Sequence, residues 1–322
     1  MKIAVTGAGG FIGGHLVNQL LNDGHQVSAY DIKPLREWQQ VRGDARNHPL
    51  VDVGMNNADF DFEDMDEVYQ LAADMGGLGF IQNNKARCML SVLASTNTLL
   101  KANEAGVGRF FYPSSACAYP AGVQTEIDSP PIKESDIYPA MPEDGYGWEK
   151  LFSERMCNHF YEDFGLETRV ARYHNTYGPW GEWEGGRDKA PAAMCRKVAI
   201  AKLSKSHEVE VWGDGMQTRT FTYIDDCLKG TVMLTRSDVH EPVNLGSAEL
   251  ISINDLANLT ALIAGVNIHI RHIPGALGVR GRCSDNTLIN KLFDWEPSIS
   301  LSEGMERTYE WVYNQVKAKY FS

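Results

Sequence analysis

Lys2-Ile3-Ala4-Val5-Thr6-Gly7-Ala8-Gly9-Gly10-Phe11-Ile12-Gly13-Gly14-His15-Leu16-Val17-Asn18-Gln19-Leu20 opens the chain as a short apolar run, a glycine turn and an apolar repeat at Ile12, Leu16 and Leu20. The first run reads as a buried strand and the repeat as a helix. Between them Gly7, Gly10 and Gly13 leave the backbone bare, so that a pyrophosphate can approach the helix N-terminus. A glycine triplet also makes an ordinary tight turn, so the next strand decides. Val27-Ser28-Ala29-Tyr30 ends at Asp31, 24 residues after Gly7. A carboxylate there accepts hydrogen bonds from an adenosine ribose and repels a 2′-phosphate. The pattern predicts NAD rather than NADP as cofactor, with Lys33 as the opposing feature. Phe11 and Ile12 at the helix start and Leu71 and Ala72 after the following strand complete the expected cofactor contacts. Asp52 and Val53 are read as an adenine contact, against a plain surface loop.

Outward from this unit, strand-like runs at 68–72, 109–113 and 168–173 alternate with helical stretches at 89–104 and 146–163. Alternation of this kind predicts an α/β protein with a Rossmann-type doubly wound parallel sheet. After Pro179 the character changes. Residues 180–192 hold three glycines and two tryptophans and read as a loop that covers something. The expected division is therefore an NAD-binding domain over 1–178, with a return segment at about 220–265 carrying a strand near Val243. A smaller discontinuous C-terminal substrate domain takes 179–219 and 266–322. No solenoid repeat or low-complexity tract is visible.

Composition narrows the class. With 322 residues the chain can bury a full core without staples. Thirty basic against 42 acidic side chains give a formal charge of −12, which excludes a general nucleic-acid surface but leaves room for a local anion pocket. Six cysteines, none in a Cys-x-x-Cys pair, argue against a zinc knuckle and for reduced thiols in a cytoplasmic enzyme; no metal is expected. Residues 3–22 carry no charge, but five glycines and several polar side chains exclude a membrane span or signal peptide.

The chemistry concentrates further on. Tyr146 and Lys150 are four apart and share a helix face, where an ammonium beside a phenol favours the phenolate. Alone, the pair could equally sit on any helix surface. Ser114 and Ser115, just after a strand, supply a hydroxyl for a substrate alcohol. Glycine turn, strand-end Asp31, Ser114-Ser115 and Tyr146-x-x-x-Lys150 in this order resemble the extended short-chain dehydrogenase/reductase superfamily. Dehydratases of that superfamily carry an Asp-Glu after the Ser or Thr, whereas this chain has Ala116-Cys117. A cysteine is usually a small buried hydrophobe; here its thiolate would face substrate and could remove a carbon-bound proton.

A narrower resemblance rests on Ala73-Asp74-Met75-Gly76-Gly77, Ser114-Ser115-Ala116-Cys117, Gly185-Gly186-Arg187-Asp188-Lys189-Ala190-Pro191, Trp212-Gly213-Asp214-Gly215-Met216-Gln217-Thr218-Arg219 and Gly278-Val279-Arg280-Gly281-Arg282. These segments are similar to those of the GDP-mannose 3,5-epimerases, NAD-dependent isomerases of nucleotide-sugar metabolism. The resemblance implies that Ser115, Tyr146 and Lys150 oxidise C4 of a GDP-hexose and that Cys117 and Lys189 exchange protons at C3 and C5, giving GDP-L-galactose and also GDP-L-gulose. It further assigns Gly77 and Asn175 to sugar or diphosphate contacts, Asp188 and Ala190 to the substrate loop, and Lys197, Gln217, Thr218, Arg219 and Arg282 to the nucleotide end. Lys189 could instead be a solvated charge, and His174 is read as a packing residue. Cys283 stands where that pattern has a polar amide. A homodimer through two helices per subunit is implied. Two rivals remain: a sugar-nucleotide 4-epimerase or 4-ketosugar reductase, which leaves Cys117 without a task, and an NAD-sensing regulator, which has no use for Ser115, Tyr146 and Lys150.

Overall fold

The computed structural model describes residues 1–33 and 61–321. In chain order, β1 (Lys2–Thr6), α1 (Phe11–Asn22), β2 (Gln26–Tyr30), β3 (Glu67–Gln70), α2 (Leu78–Asn83), α3 (Lys85–Met89), α4 (Ser91–Glu104), β4 (Arg109–Ser115), α5 (Asp144–Phe164), β5 (Thr168–Tyr173) and β6 (Thr176–Tyr177) form the first part. They are followed by α6 (Ala190–Ser204), β7 (Glu208–Trp212), β8 (Thr218–Thr220), β9 (Thr222–Tyr223), α7 (Ile224–Thr235), β10 (Val243–Leu245), β11 (Leu250–Ser252), α8 (Ile253–Ala264), β12 (His269–Ile273), α9 (Thr287–Phe293) and α10 (Leu301–Tyr320).

The large sheet is parallel throughout and runs β2-β1-β3-β4-β5-β10. Because β1 pairs with β2 on one side and β3 on the other, the chain reverses its direction of travel across the sheet between them. The carboxyl ends of β1 and β3 therefore frame a crevice, the place where such sheets take ligands. Pleating sends Ile3 and Val5 into one apolar cluster, under α1 and α7, and Ala4 into the other, with Val68, Phe110, Leu99 and Phe160 under α4 and α5. Both faces are covered, which is why these strands read as continuous apolar runs rather than alternating ones.

Boundaries differ in instructive ways. The strand expected at 68–72 stops at Gln70, because Leu71 and Ala72 bend round the turn at Gly7. The expected helix at 89–104 is two helices joined at Leu90. β10 pairs with β5, and α7 packs on β4, β5 and α1, so residues 224–245 do return to the large sheet. α8 packs on α6, α10 and β7. Its apolar face, Leu256 and Ala257, is buried against those elements. The β7–β12 and β8–β11 pairs form separate two-stranded sheets. Among the described residues no helix is long and apolar enough to cross a membrane.

Candidate active site

The chain leaves β1 through Gly7, whose φ of +69° is one that side chains resist. A Cβ there would lie 2.7 Å from Ala72 N and Leu71 C, and a Cβ on Gly13 would lie 2.2 Å from Gly7 O. The first turn of α1 is thus seated directly on the glycine turn, with Gly10 N–H donating to Gly7 O at 2.9 Å. Bare backbone and a helix N-terminus in the crevice make a cradle for a diphosphate. Asp31, nearly buried at the end of β2, accepts hydrogen bonds from Gly9 N–H and Lys33 N–H, both at 2.8 Å, so its carboxylate is held at the cradle's edge. The Lys33 ammonium donates to Gly9 O at 3.4 Å and lies 4.0 Å from Glu182. Phe11 and Ile12 open α1 beside this edge; the Phe11 ring meets His15 edge-on. A dinucleotide fits this arrangement of glycine turn, helix end and strand-end carboxylate. Asp52 and Val53 lie outside the described residues.

Gln70, an unremarkable polar residue in the sequence, ties the crevice together. Its amide oxygen accepts from the Thr6 hydroxyl and from Ala72 N–H, and its amide nitrogen donates to Ala72 O at 3.0 Å and to the Ser95 hydroxyl at 3.3 Å.

β4 delivers Ser114 and Ser115 to the same end of the sheet. The Ser115 hydroxyl accepts from Cys117 N–H at 3.1 Å and caps a short helical turn, Ala116–Ala118. This fixes Cys117 beside Tyr146, Cys88 and Ile81. Gly147 explains how α5 comes so close, since a Cβ there would stand 2.2 Å from Cys117 O. Tyr146 and Lys150 are both buried on this helix face. Lys150 Nζ donates to Pro113 O at 3.0 Å and lies 4.7 Å from the Tyr112 ring centre and 5.7 Å from that of Tyr146. Burial pushes the Tyr146 phenol up, with Cys117 and Glu149 adding to it and the Ser115 hydroxyl opposing. Burial also pushes Lys150 down, with Glu149 opposing. On both groups desolvation is the largest single influence, which a sequence pattern of neighbouring charges does not show.

Opposite, Arg282 is buried and directs one guanidinium nitrogen at Cys117 Sγ, 3.4 Å away. Glu143 and the Gln124 side chain hold its other nitrogens. Glu143 and Gln124 turn it toward the thiol. Burial pushes Glu143 up, but Arg282 and Arg219 outweigh this and hold its carboxyl below the usual range. Arg219 is pushed down to about 10 by burial and by Arg282, and donates to Thr218 O and Leu277 O. Two neighbouring guanidiniums against one carboxylate leave an excess of positive charge suited to a diphosphate. Gln217 is buried, with its amide oxygen unpartnered among the described residues. Thr218 bonds to Ile127 O, Lys197 Nζ to Glu210 O at 2.7 Å and Asn175 Nδ2 to Thr220 O at 3.0 Å.

The loop before α6 is stitched to the 73–77 segment. Gly77 N–H donates to Arg187 O at 2.9 Å, a Cβ on Gly77 would lie 2.2 Å from Asp188 O, and Arg187 pairs with Asp74 at 2.7 Å. Asp188 turns to Arg196, 2.9 Å away, and accepts from Gly186 N–H, so it braces the loop. Lys189 then caps α6, which begins at Ala190. Enclosure pushes its ammonium down, and Cys117 is the largest charge opposing that. His174 is fully buried against Asn244 and pushed down to about 3 by burial and Arg282, which makes it a neutral packing residue. Among the described residues no group of three or more His, Cys, Asp or Glu side chains is placed to hold a metal.

Comparison with known proteins agrees with this geometry. Residues 3–246 match the NAD dependent epimerase/dehydratase family. The chain is 46% identical to the GDP-mannose 3,5-epimerase of Arabidopsis thaliana over 98% of its own length and 83% of that protein's. Among solved structures, the UDP-glucose 4-epimerase of Thermotoga maritima with UDP-glucose superposes with a TM-score of 0.85 at 26% identity, covering 98% of this chain and 100% of that one. The UDP-glucuronic acid 4-epimerase of Bacillus cereus, in complex with UDP-glucuronic acid and NAD, gives 0.81 at 26% identity and the same coverage. The chain belongs to the NAD dependent epimerase/dehydratase family and, within it, to the GDP-mannose 3,5-epimerases.

Proposed function

We propose that the protein epimerises GDP-mannose at C3 and C5, giving GDP-L-galactose and GDP-L-gulose, through a transient C4 ketone. When bound, NAD supplies the reversible two-electron oxidation of the C4 carbinol. The chain supplies the rest. Tyr146 takes the C4 hydroxyl proton while the Ser115 hydroxyl orients that oxygen and the Lys150 charge offsets the phenolate. The ketone makes the neighbouring carbon-bound protons acidic, since it can hold enolate charge. Cys117 removes the proton from one face and Lys189 delivers one to the other, after which reversal of the first step restores C4. Arg219, Gln217, Thr218, Lys197 and Asn175 bind the nucleotide and diphosphate, and Gly77, Asp188 and Ala190 keep the backbone of the two loops close to the sugar.

The observation that carries this reading is the placement of Cys117. Its sulfur lies beside Tyr146 and faces a buried arginine, and the ammonium of the half-buried Lys189 has no hydrogen-bond or ion-pair partner among the described residues. A 4-epimerase or 4-ketosugar reductase has no task for either group. Incubation with GDP-mannose in D₂O and NMR of the recovered GDP-hexose tests it. Deuterium at C3 and C5 with inverted products is expected; a product changed at C4 alone would select the rival.

We further propose a homodimer. α4 and α5 pack side by side and both expose large apolar side chains, Leu93 and Leu100 on one and Trp148 and Phe152 on the other, as an interface would. The two-lobe division, with residues 1–178 and a return segment as the cofactor lobe, belongs to the same proposal. So does a cytoplasmic setting, which suits six unpaired thiols.

A further inference from the structure

Glu149 is almost fully buried on α5, one residue before Lys150 and three after Tyr146, and the chemistry above gives it no task. One carboxylate oxygen accepts from the Tyr112 and Ser153 hydroxyls, both at 3.0 Å, and from Ser95 at 3.4 Å. The other has no hydrogen-bond partner among the described residues and lies 3.8 Å from Lys150 Nζ. A half-satisfied carboxylate away from water is costly to keep, so its use lies in the ammonium it faces.

We propose that Glu149 is a positioning residue for the Tyr146–Lys150 pair, whose charge keeps the proton those two share on Lys150 and so leaves the negative charge on the Tyr146 oxygen. The proposal rests on Tyr146 being the proton acceptor. Two buried groups this close titrate as one unit. With one proton between them they exist either as phenol and neutral amine or as phenolate and ammonium, and the second form is the base the reaction needs. Burial favours the first. Glu149 raises both groups, and with its free oxygen 3.8 Å from the ammonium the proposal puts its larger effect on Lys150, which favours the second. The other titratable groups around the pair are Tyr112 on β4, Cys117 in the turn after it, Cys88 on α3, Lys189 before α6, and Cys157 and Glu154 on α5. Glu154 is engaged by Arg172 at 2.6 Å, which leaves Glu149 as the carboxylate for Lys150 among the described residues.

The test compares wild type, Glu149→Gln, Glu149→Asp and Tyr146→Phe in single-turnover oxidation of GDP-mannose by the holoenzyme, followed by nicotinamide absorbance from acid to alkaline pH. Loss of the anion lets the pair give up its first proton more easily, so the acid limb of Glu149→Gln should move down by about one to two pH units. The plateau should fall about tenfold or more, since the pair then rests as phenol and amine. Glu149→Asp keeps the charge and should hold the limb at its wild-type position even if the variant melts earlier. A lower plateau with an unmoved limb in Glu149→Gln means a merely structural role and overturns the proposal, as does a limb that moves equally in Glu149→Asp. Tyr146→Phe separates the two levels. If it is inactive at every pH the parent reading stands whatever Glu149 does, and if it is active both fall.

Discussion

Replacing Gly13 with alanine adds one carbon where the turn has no room for it. The new Cβ would stand 2.2 Å from Gly7 O, 2.8 Å from Gly7 C and 3.1 Å from Ala8 Cα, all backbone atoms that no rotamer change can clear. Restoring a tolerable carbon–oxygen approach needs the start of α1 to back away by about 0.8 Å or more, and forced expansion of this kind costs about 1–3 kcal/mol of stability. The same movement draws the N–H groups at the start of α1 off the diphosphate. Losing one hydrogen bond to a charged group, worth about 1.5–3 kcal/mol, weakens NAD binding by about ten- to a hundredfold. Calorimetric titration of NAD into the cofactor-stripped protein, with a thermal melt, reads both effects. Gly122→Ala is the control, since a Cβ there meets nothing within 4 Å. A Gly13→Ala protein that binds NAD within twofold of wild type would refute the placement of the dinucleotide on this helix start.

Three further outcomes are expected. Leu93→Glu places a charge in the exposed apolar face of α4 and should shift the protein to monomer in sedimentation velocity; an unchanged sedimentation coefficient would remove α4 from the interface. Arg219→Met removes one of two adjacent guanidiniums and should raise the KM for GDP-mannose about tenfold or more, the worth of one charged hydrogen bond, while free mannose 1-phosphate stays a poor ligand; an unchanged KM would move the diphosphate elsewhere. His174 is pushed down to about 3 in the fold against about 6.5 unfolded, so the unfolded chain takes up the proton first. The stability this site supplies is whole above pH 6.5 and is lost progressively as pH falls toward 3, at about 1.4 kcal/mol per unit. Denaturant titrations at pH 6.5 and 4.5 should show wild type losing more than His174→Gln, and equal losses would contradict a neutral buried imidazole.

Much of the fold was legible because it depends on local pattern. Residues 168–173 read as a strand and are β5 residue for residue, and the glycine turn announced itself through missing side chains. The site was legible as far as residue types carry chemistry, and the structure brings Ser115, Cys117, Tyr146 and Lys150 together. What was not legible depends on neighbours distant in sequence. Gln70 and Glu149 look like ordinary polar residues until burial and the strands around them show what they bond. Gly147 reads as a weak point in a helix, and its reason is the Cys117 carbonyl it admits. Arg282 carries a charge that any anion could claim, and it takes Glu143 on α5's approach to turn it to the thiol. α8 has the same amphipathic pattern whichever elements it covers, so its packing on α6, α10 and β7 could not be read from periodicity.

The chemistry at Cys117 is decided by solvent deuterium. Wild type, Cys117→Ala and Cys117→Ser are incubated with GDP-mannose in D₂O, and C3 and C5 of the recovered GDP-hexose are read by NMR. Wild type should incorporate deuterium at both carbons. Cys117→Ala should still oxidise and re-reduce C4 but exchange neither carbon-bound proton, and Cys117→Ser should lie near the same floor because an alkoxide is far harder to form than a thiolate. Exchange by Cys117→Ala at the wild-type rate would contradict the mechanism, making the cysteine a packing residue and leaving the base at C3 and C5 to another group.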